Sequence, residues 1–383
     1  MSLLTLLNRS SGDPMQAARS QRAIGYLGWD IPVELILATG AVPVQLSALP
    51  HSGDTTLADR FLESSFSAQS RVMADRWLAG DLDCLDAVIF SRSDDNAQRL
   101  YYYLCELQRM GECKGPRPLL YDLARIHRGS SVAHTIESTQ ALASAVGVDE
   151  SRLSAAIEQV VARQVLLSQL AQLRTADDVP LGSVAYRIVR GARTDWSEEF
   201  DRSMREWLAS PATVGPSKRV LLVGSVPFDD HVHAAIEVAG TVVVGEINDA
   251  CSVASLSLHA NQGNGSPSRL SAGSAPTGSL APGRDSSSPL ELIARRCYEQ
   301  TNAISTLLQS PADIVQTTRA LRADGVIVWM LATDTGLAWE APRIERALRE
   351  ASLPTLMLTS QPETLSAEAL TEIAQFRRTL EAR

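Results

Sequence analysis

Two aromatic–acid pairs have the side-chain types for a ligand site: Trp29–Asp30 in IGYLGWDIP and Phe228–Asp229 in LLVGSVPFDDH. Rings can wall an acyl pocket, and a neighbouring carboxylate can orient a polar group within it. Each pair also has a structural reading. Asp229 suits a carboxylate at a helix N-terminus, the favoured reading, while Trp29 suits core and pocket equally. Other chemistries lack the necessary spacing. His231 and His233 lie two apart at a helix start, whereas a helical metal pair needs a spacing of three or four to share a face. One is expected to be solvated and the other half-buried. Cys84, Cys105, Cys113, Cys251 and Cys297 are odd in number and scattered, without CxxC or Cys/His spacing, so reduced and mostly buried thiols are expected. There is no Gly-x-Ser-x-Gly elbow, and Ser64, Ser65 and Ser67 have no base nearby in sequence. The glycines of YLGWDIP and VGSVPFDDH are too sparse for GxGxxG or a P-loop, which argues against a dinucleotide or nucleoside triphosphate site.

The elements that must position these residues form an internal repeat. Arg22 to Leu46 reads as strand, loop ending at Pro32, amphipathic helix, Gly40 and second strand; Lys218 to Gly245 repeats the plan, with Pro227, Asp229 and Asp230 starting a helix that ends at Gly240 before the strand Thr241 to Val244. DAVIF (Asp86 to Phe90) precedes a helix around Arg99 to Leu107. DGVIVW (Asp324 to Trp329) precedes a helix at Pro342 to Glu350 and another buried strand, PTLML (Pro354 to Leu358). Near-continuous apolar strands alternating with helices imply parallel sheets covered on both faces, hence an α/β chain of two Rossmann-like or flavodoxin-like lobes. Residues 1–135 are assigned to the first lobe, 136–215 to a connecting helical segment with a capping sequence at Asp149 to Ser151, and 216–383 to the second lobe. Ser266 to Ser288 is rich in Ser, Gly, Ala and Pro and cannot offset its ordering entropy by burial, so a mobile, disordered insertion is expected over about 261–288. Ligands of doubly wound sheets bind at the carboxyl ends of strands. The loops Leu27 to Ile31, Ser91 to Asn96, Ser225 to Asp230 and Met330 to Leu337 are therefore expected to line one cleft.

Composition bounds the rest. The chain has 383 residues, 45% hydrophobic and 21% charged, with a formal net charge of -9. That length favours two cores, and the acidic balance argues against a nucleic-acid partner. The start, MSLLTLLNRSSGDPM, lacks a basic leader region, and no stretch is apolar for long enough to span a bilayer. A cytoplasmic protein without a membrane partner is expected.

Six blocks in order resemble the 2-hydroxyacyl-CoA dehydratase and benzoyl-CoA reductase family, that is, the D-component of 2-hydroxyglutaryl-CoA dehydratase. They are Ile24 to Leu46, SSFSAQSR (Ser64 to Arg71), Leu85 to Leu104, Arg219 to Cys251, PLELIARRCYE (Pro289 to Glu299) and Ala323 to Leu358. The resemblance implies heterodimers of homologous subunits, an acyl-CoA thioester substrate and a separate ATP-dependent activator. It also implies a [4Fe–4S] cluster held by cysteines from three loops. At the matching positions this chain carries Ser67, Asp94 and Asp334, the last to within one residue against Thr333. Serine and aspartate oxygens are hard donors, and clusters are held by soft thiolates. The expectation is a divergent member holding no cluster or other cofactor itself, with the [4Fe–4S] centre in a homologous partner. It would be a non-cluster subunit shaping the acyl-CoA cleft. The alternative is a repurposed family member acting alone or with itself, which binds an acyl-CoA or runs non-redox chemistry with Asp94 and Asp334, acids that would suit a hard cation.

Overall fold

The computed structural model describes residues 3–10, 15–48, 54–124, 126, 128–215, 217–250 and 288–382. Cys251 and the expected insertion, up to residue 287, lie outside the described residues.

The first part of the chain runs α1 (Leu3–Ser10), α2 (Met15–Ala18), β1 (Ala23–Leu27), α3 (Val33–Ala38), β2 (Val42–Gln45), α4 (Ala68–Leu78), β3 (Ala87–Ser91), α5 (Asp95–Met110) and β4 (Arg117–Tyr121). Four helices follow: α6 (Gly129–Val146), α7 (Glu150–Leu173), α8 (Gly182–Thr194) and α9 (Glu198–Ala209). The last part runs β5 (Lys218–Gly224), α10 (His231–Val238), β6 (Thr241–Ile247), α11 (Pro289–Gln309), α12 (Pro311–Ala320), β7 (Gly325–Leu331), α13 (Thr335–Ala338), α14 (Ala341–Glu350), β8 (Thr355–Gln361) and α15 (Ala367–Glu381).

The repeat expected from sequence is present strand for strand. One four-stranded sheet has the order β2-β1-β3-β4 and the other β6-β5-β7-β8, every pairing parallel. The register repeats too, since Ile24 pairs with Ala87 as Val220 pairs with Gly325. Parallel strands carry helices on both faces, so β1, β3 and β6 are buried along their whole length. In this order the winding reverses between the first and third strands of each sheet. Ligands of sheets with this order bind at the switch point, which lies at the carboxyl ends of β1 and β3, and likewise of β5 and β7.

Several boundaries differ from the sequence reading. Helix α10 begins at His231, because Asp229 and Asp230 lie in the turn before it. Strand β6 continues to Ile247, and β8 is an edge strand with only Leu358 buried. The chain divides into two compact units, one of residues 1–163, 191–201 and 285–302, the other of 164–190, 202–284 and 303–383. The stretch 136–215, expected as a connector, is therefore shared between the units, and 285–302 groups with the first. The reason is burial: Ile293 and Cys297 of α11 belong to the same apolar cluster as Ile24, Leu35 and Ile89. Among the described residues no helix is long and apolar enough to cross a membrane.

Candidate functional site

Both first loops leave their strand through a glycine that cannot be replaced without strain. Gly28 follows β1 at φ +122°, and a Cβ there would lie 2.3 Å from that of Ser91; Gly224 ends β5 at φ +127°, with Trp329 O at 2.1 Å from the corresponding point. Only glycine adopts such angles freely, and here it also lets two strand ends approach closely.

In the first unit, Trp29 is half-buried and held by Arg193 of α8. Arg193 Nη1 donates to the Trp29 carbonyl at 3.1 Å, and its guanidinium sits 5.1 Å from the ring centroid, within cation–π range. Tyr26 donates its hydroxyl to the Arg193 carbonyl at 2.8 Å. Burial pushes the Tyr26 phenol up to about 12, against the field of Arg193. Next in the loop, Asp30 Oδ2 accepts from the Ser93 hydroxyl at 2.5 Å, and Ser93 lies 2.7 Å from the Ser91 hydroxyl at the end of β3. Asp30 Oδ1 is buried and, among the described residues, has no hydrogen-bond partner. A carboxylate oxygen in that state is costly unless something donates to it. Nearby in the sequence, Glu34 is 1% exposed and ion-paired with Arg296 at 2.5 Å, and burial pushes the adjacent Cys297 thiol up to about 11.

The second unit repeats the aromatic arrangement with different residues. Arg190 donates to the Phe228 carbonyl, lies 5.9 Å from the Phe228 ring centroid, and donates to Tyr186 Oη at 3.0 Å. Tyr186 in turn donates to the Pro227 carbonyl. Asp229 accepts the His231 backbone N–H at 3.0 Å and pairs with its Nδ1 at 2.6 Å, which ties the loop to the first residue of α10. His231 is exposed, as expected. His233 is fully buried rather than half-buried: its ring stacks on Tyr186 at 4.5 Å, and Nε2 lies 3.2 Å from Glu246, outside hydrogen-bond geometry. Glu246 also takes Arg174 at 3.3 Å and Asn248 at 3.2 Å.

The three positions matched to cluster cysteines share one local role. Ser67 caps α4 by accepting from the Ser70 N–H at 3.2 Å, Asp94 caps α5 by accepting from Ala97 at 3.1 Å, and Asp334 caps α13 by accepting from Leu337 at 3.2 Å. Asp334 also accepts from the Ser225 hydroxyl at 2.9 Å. Hard oxygens already engaged by helix N–H groups are a donor set that does not fit an iron–sulfur cluster. Of the four described cysteines only Cys297 is buried, Cys105 and Cys113 being half-buried and Cys84 exposed, so the expectation of mostly buried thiols is corrected. They lie on amphipathic or loop segments whose outer faces meet solvent. Among the described residues no group of three or more His, Cys, Asp or Glu side chains could hold a metal ion.

Sequence reasoning found the two aromatic–acid loops and placed Ser91, Ser93 and Ser225 in the strand-end loops without giving them a role, but it missed Arg190 and Arg193, which nothing local marks. The family model described as 2-hydroxyglutaryl-CoA dehydratase, D-component, matches residues 28–380. Comparison with curated proteins found no match. With nearly the whole chain covered and the repeated parallel sheets in place, this chain belongs to the 2-hydroxyglutaryl-CoA dehydratase D-component family.

Proposed function

We propose that the chain is the non-cluster subunit of a heteromeric 2-hydroxyacyl-CoA dehydratase or benzoyl-CoA reductase-type complex. It helps shape the acyl-CoA site and supports a homologous, cluster-bearing partner in the cytoplasm, while a separate ATP-dependent activator supplies the electron to that partner. The observation that carries this reading is the oxygen chemistry of Ser67, Asp94 and Asp334, each committed to a helix N-terminus where the family resemblance implies a thiolate. Such a chain retains the family scaffold without the means to bind the electron carrier.

Iron and sulfide analysis with electron paramagnetic resonance on anaerobically purified chain should give no stoichiometric [4Fe–4S] signal. A stoichiometric signal from this chain alone would refute the proposal. Purification from the native host should also recover a homologous iron-containing partner.

A second reading, a stand-alone family member that binds an acyl-CoA without redox chemistry, is favoured by Asp30, a carboxylate with one buried oxygen in the strand-end loop beside Trp29. Recovery of an isolated homodimer that binds acyl-CoA would select it. Catalysis through Asp94 and Asp334 fits this reading poorly, because both carboxylates cap helices.

A further inference from the structure

Trp29 and Phe228 occupy corresponding loops of the two units, and each is held by an arginine in the same way. Arg193 donates to the Trp29 carbonyl at 3.1 Å and places its guanidinium 5.1 Å from that ring; Arg190 donates to the Phe228 carbonyl and lies 5.9 Å from that ring. Both arginines belong to α8, three residues apart in VRGAR, with Arg190 in the second unit and Arg193 in the first. Each is itself anchored. The Arg193 backbone carbonyl accepts from Tyr26 Oη at 2.8 Å and from Trp196 Nε1 at 3.0 Å, and Arg190 Nη1 donates to Tyr186 Oη at 3.0 Å. A guanidinium is planar, so one side chain can stack on a ring and donate in its own plane to the same residue's carbonyl. That double hold fixes the backbone of the loop and the ring together. A capping interaction or a simple ion pair would fix only one.

We propose that Arg193 and Arg190 are positioning residues that set the orientation of Trp29 and Phe228, and thereby the shape of the apolar wall each ring offers an acyl chain. The part concerning an acyl chain rests on the function proposed above. The part concerning ring orientation stands without it.

The test uses the full chain labelled with 5-fluorotryptophan, the Trp29 resonance being assigned with W29F, and a parallel 4-fluorophenylalanine sample assigned with F228L. Fluorine spectra are recorded for R193A and R190A, and affinity is measured for S-butyl-coenzyme A, a thioether that resembles a thioester but cannot be cleaved. In R193A the Trp29 resonance should shift or broaden, and in R190A the Phe228 resonance. R193K should not restore the Trp29 signal, because an ammonium cannot stack and donate in one plane. Affinity for S-butyl-coenzyme A should fall about fivefold in each alanine variant, the equivalent of one exposed-to-partly-buried cation–π contact. If R193A does not fold, R193Q serves in its place, since it keeps a polar side chain without the charge or the planar fork. A Trp29 resonance in R193A or R193Q that superimposes on wild type overturns the proposal, even if the melting temperature has dropped. If the resonances move while wild-type chain fails to bind S-butyl-coenzyme A, the positioning role stands and the acyl-CoA reading fails.

Discussion

At Gly28 and Gly224 the backbone angle and the space around it forbid a side chain for independent reasons. G28A should therefore lose stability through both a left-handed strain of about 1–3 kcal/mol and a clash against Ser91, and G224A against the Trp329 carbonyl. Urea midpoints of the two variants would show it, and an unchanged midpoint in G224A would contradict the described strand end. Cys297 makes a different prediction. Its thiol is neutral in the folded chain up to about pH 11 against an ordinary value of 9.0, because burial disfavours the thiolate. As pH rises the unfolded chain ionises first, so the contribution is intact below pH 9 and is lost as pH climbs through 11. The loss is about 2–3 kcal/mol, and C297A should remove it from the alkaline limb of a pH–stability curve. Tyr26, raised to about 12, adds a later loss that C297A leaves in place. In the native chain, a thiol reagent should modify Cys84 readily and Cys297 only on unfolding. The sequence could not separate these two cysteines, because exposure is decided by the neighbouring element and not by the residue.

Ser67, Asp94 and Asp334, the residues the family resemblance matches to cluster cysteines, have a structural role here as helix caps. S67A, D94A and D334A should each cost about 1 kcal/mol in thermal or chemical melts, with D94N close to wild type because an amide oxygen still accepts the Ala97 N–H. Strands were the legible part of the fold, since DAVIF, RVLLVG and DGVIVW are apolar enough to identify themselves. The polar interior was not legible. Arg163 sits within what reads as an apolar stripe of α7, yet is 2% exposed and pairs with Asp201 of α9 while donating to the Ala192 and Asp195 carbonyls. Its partners lie roughly one or more helices away in sequence, and helical periodicity reports only which face is apolar. The same holds for Arg174 and Glu246, and for Arg193, whose partner loop precedes it by more than a hundred residues. The two aromatic–acid loops were visible because the repeat placed them at equivalent strand ends; the arginines holding them were not, because α8 has no counterpart in the repeat.

On the scale of the whole molecule, the first unit depends on residues supplied late in the chain. Arg296 of α11 pairs with Glu34, which is 1% exposed, so R296M would leave a buried carboxylate unpaired and should cost about 3–5 kcal/mol. E34Q combined with R296M should recover much of that loss, and a double-mutant cycle in urea would measure the coupling. Sequence order alone assigned PLELIARRCYE to the second lobe, as proximity along the chain suggests; only its burial against Ile24 and Ile89 assigns it to the first. That discontinuity matters during synthesis. A ribosome adding about 5–20 residues per second has completed β1 to β4 many seconds before it reaches Arg296 and Cys297, and throughout that interval the apolar seat of α11 has no occupant. The apolar cluster of the first unit is therefore complete only once Ile293 and Cys297 have been added, however early its four strands are made.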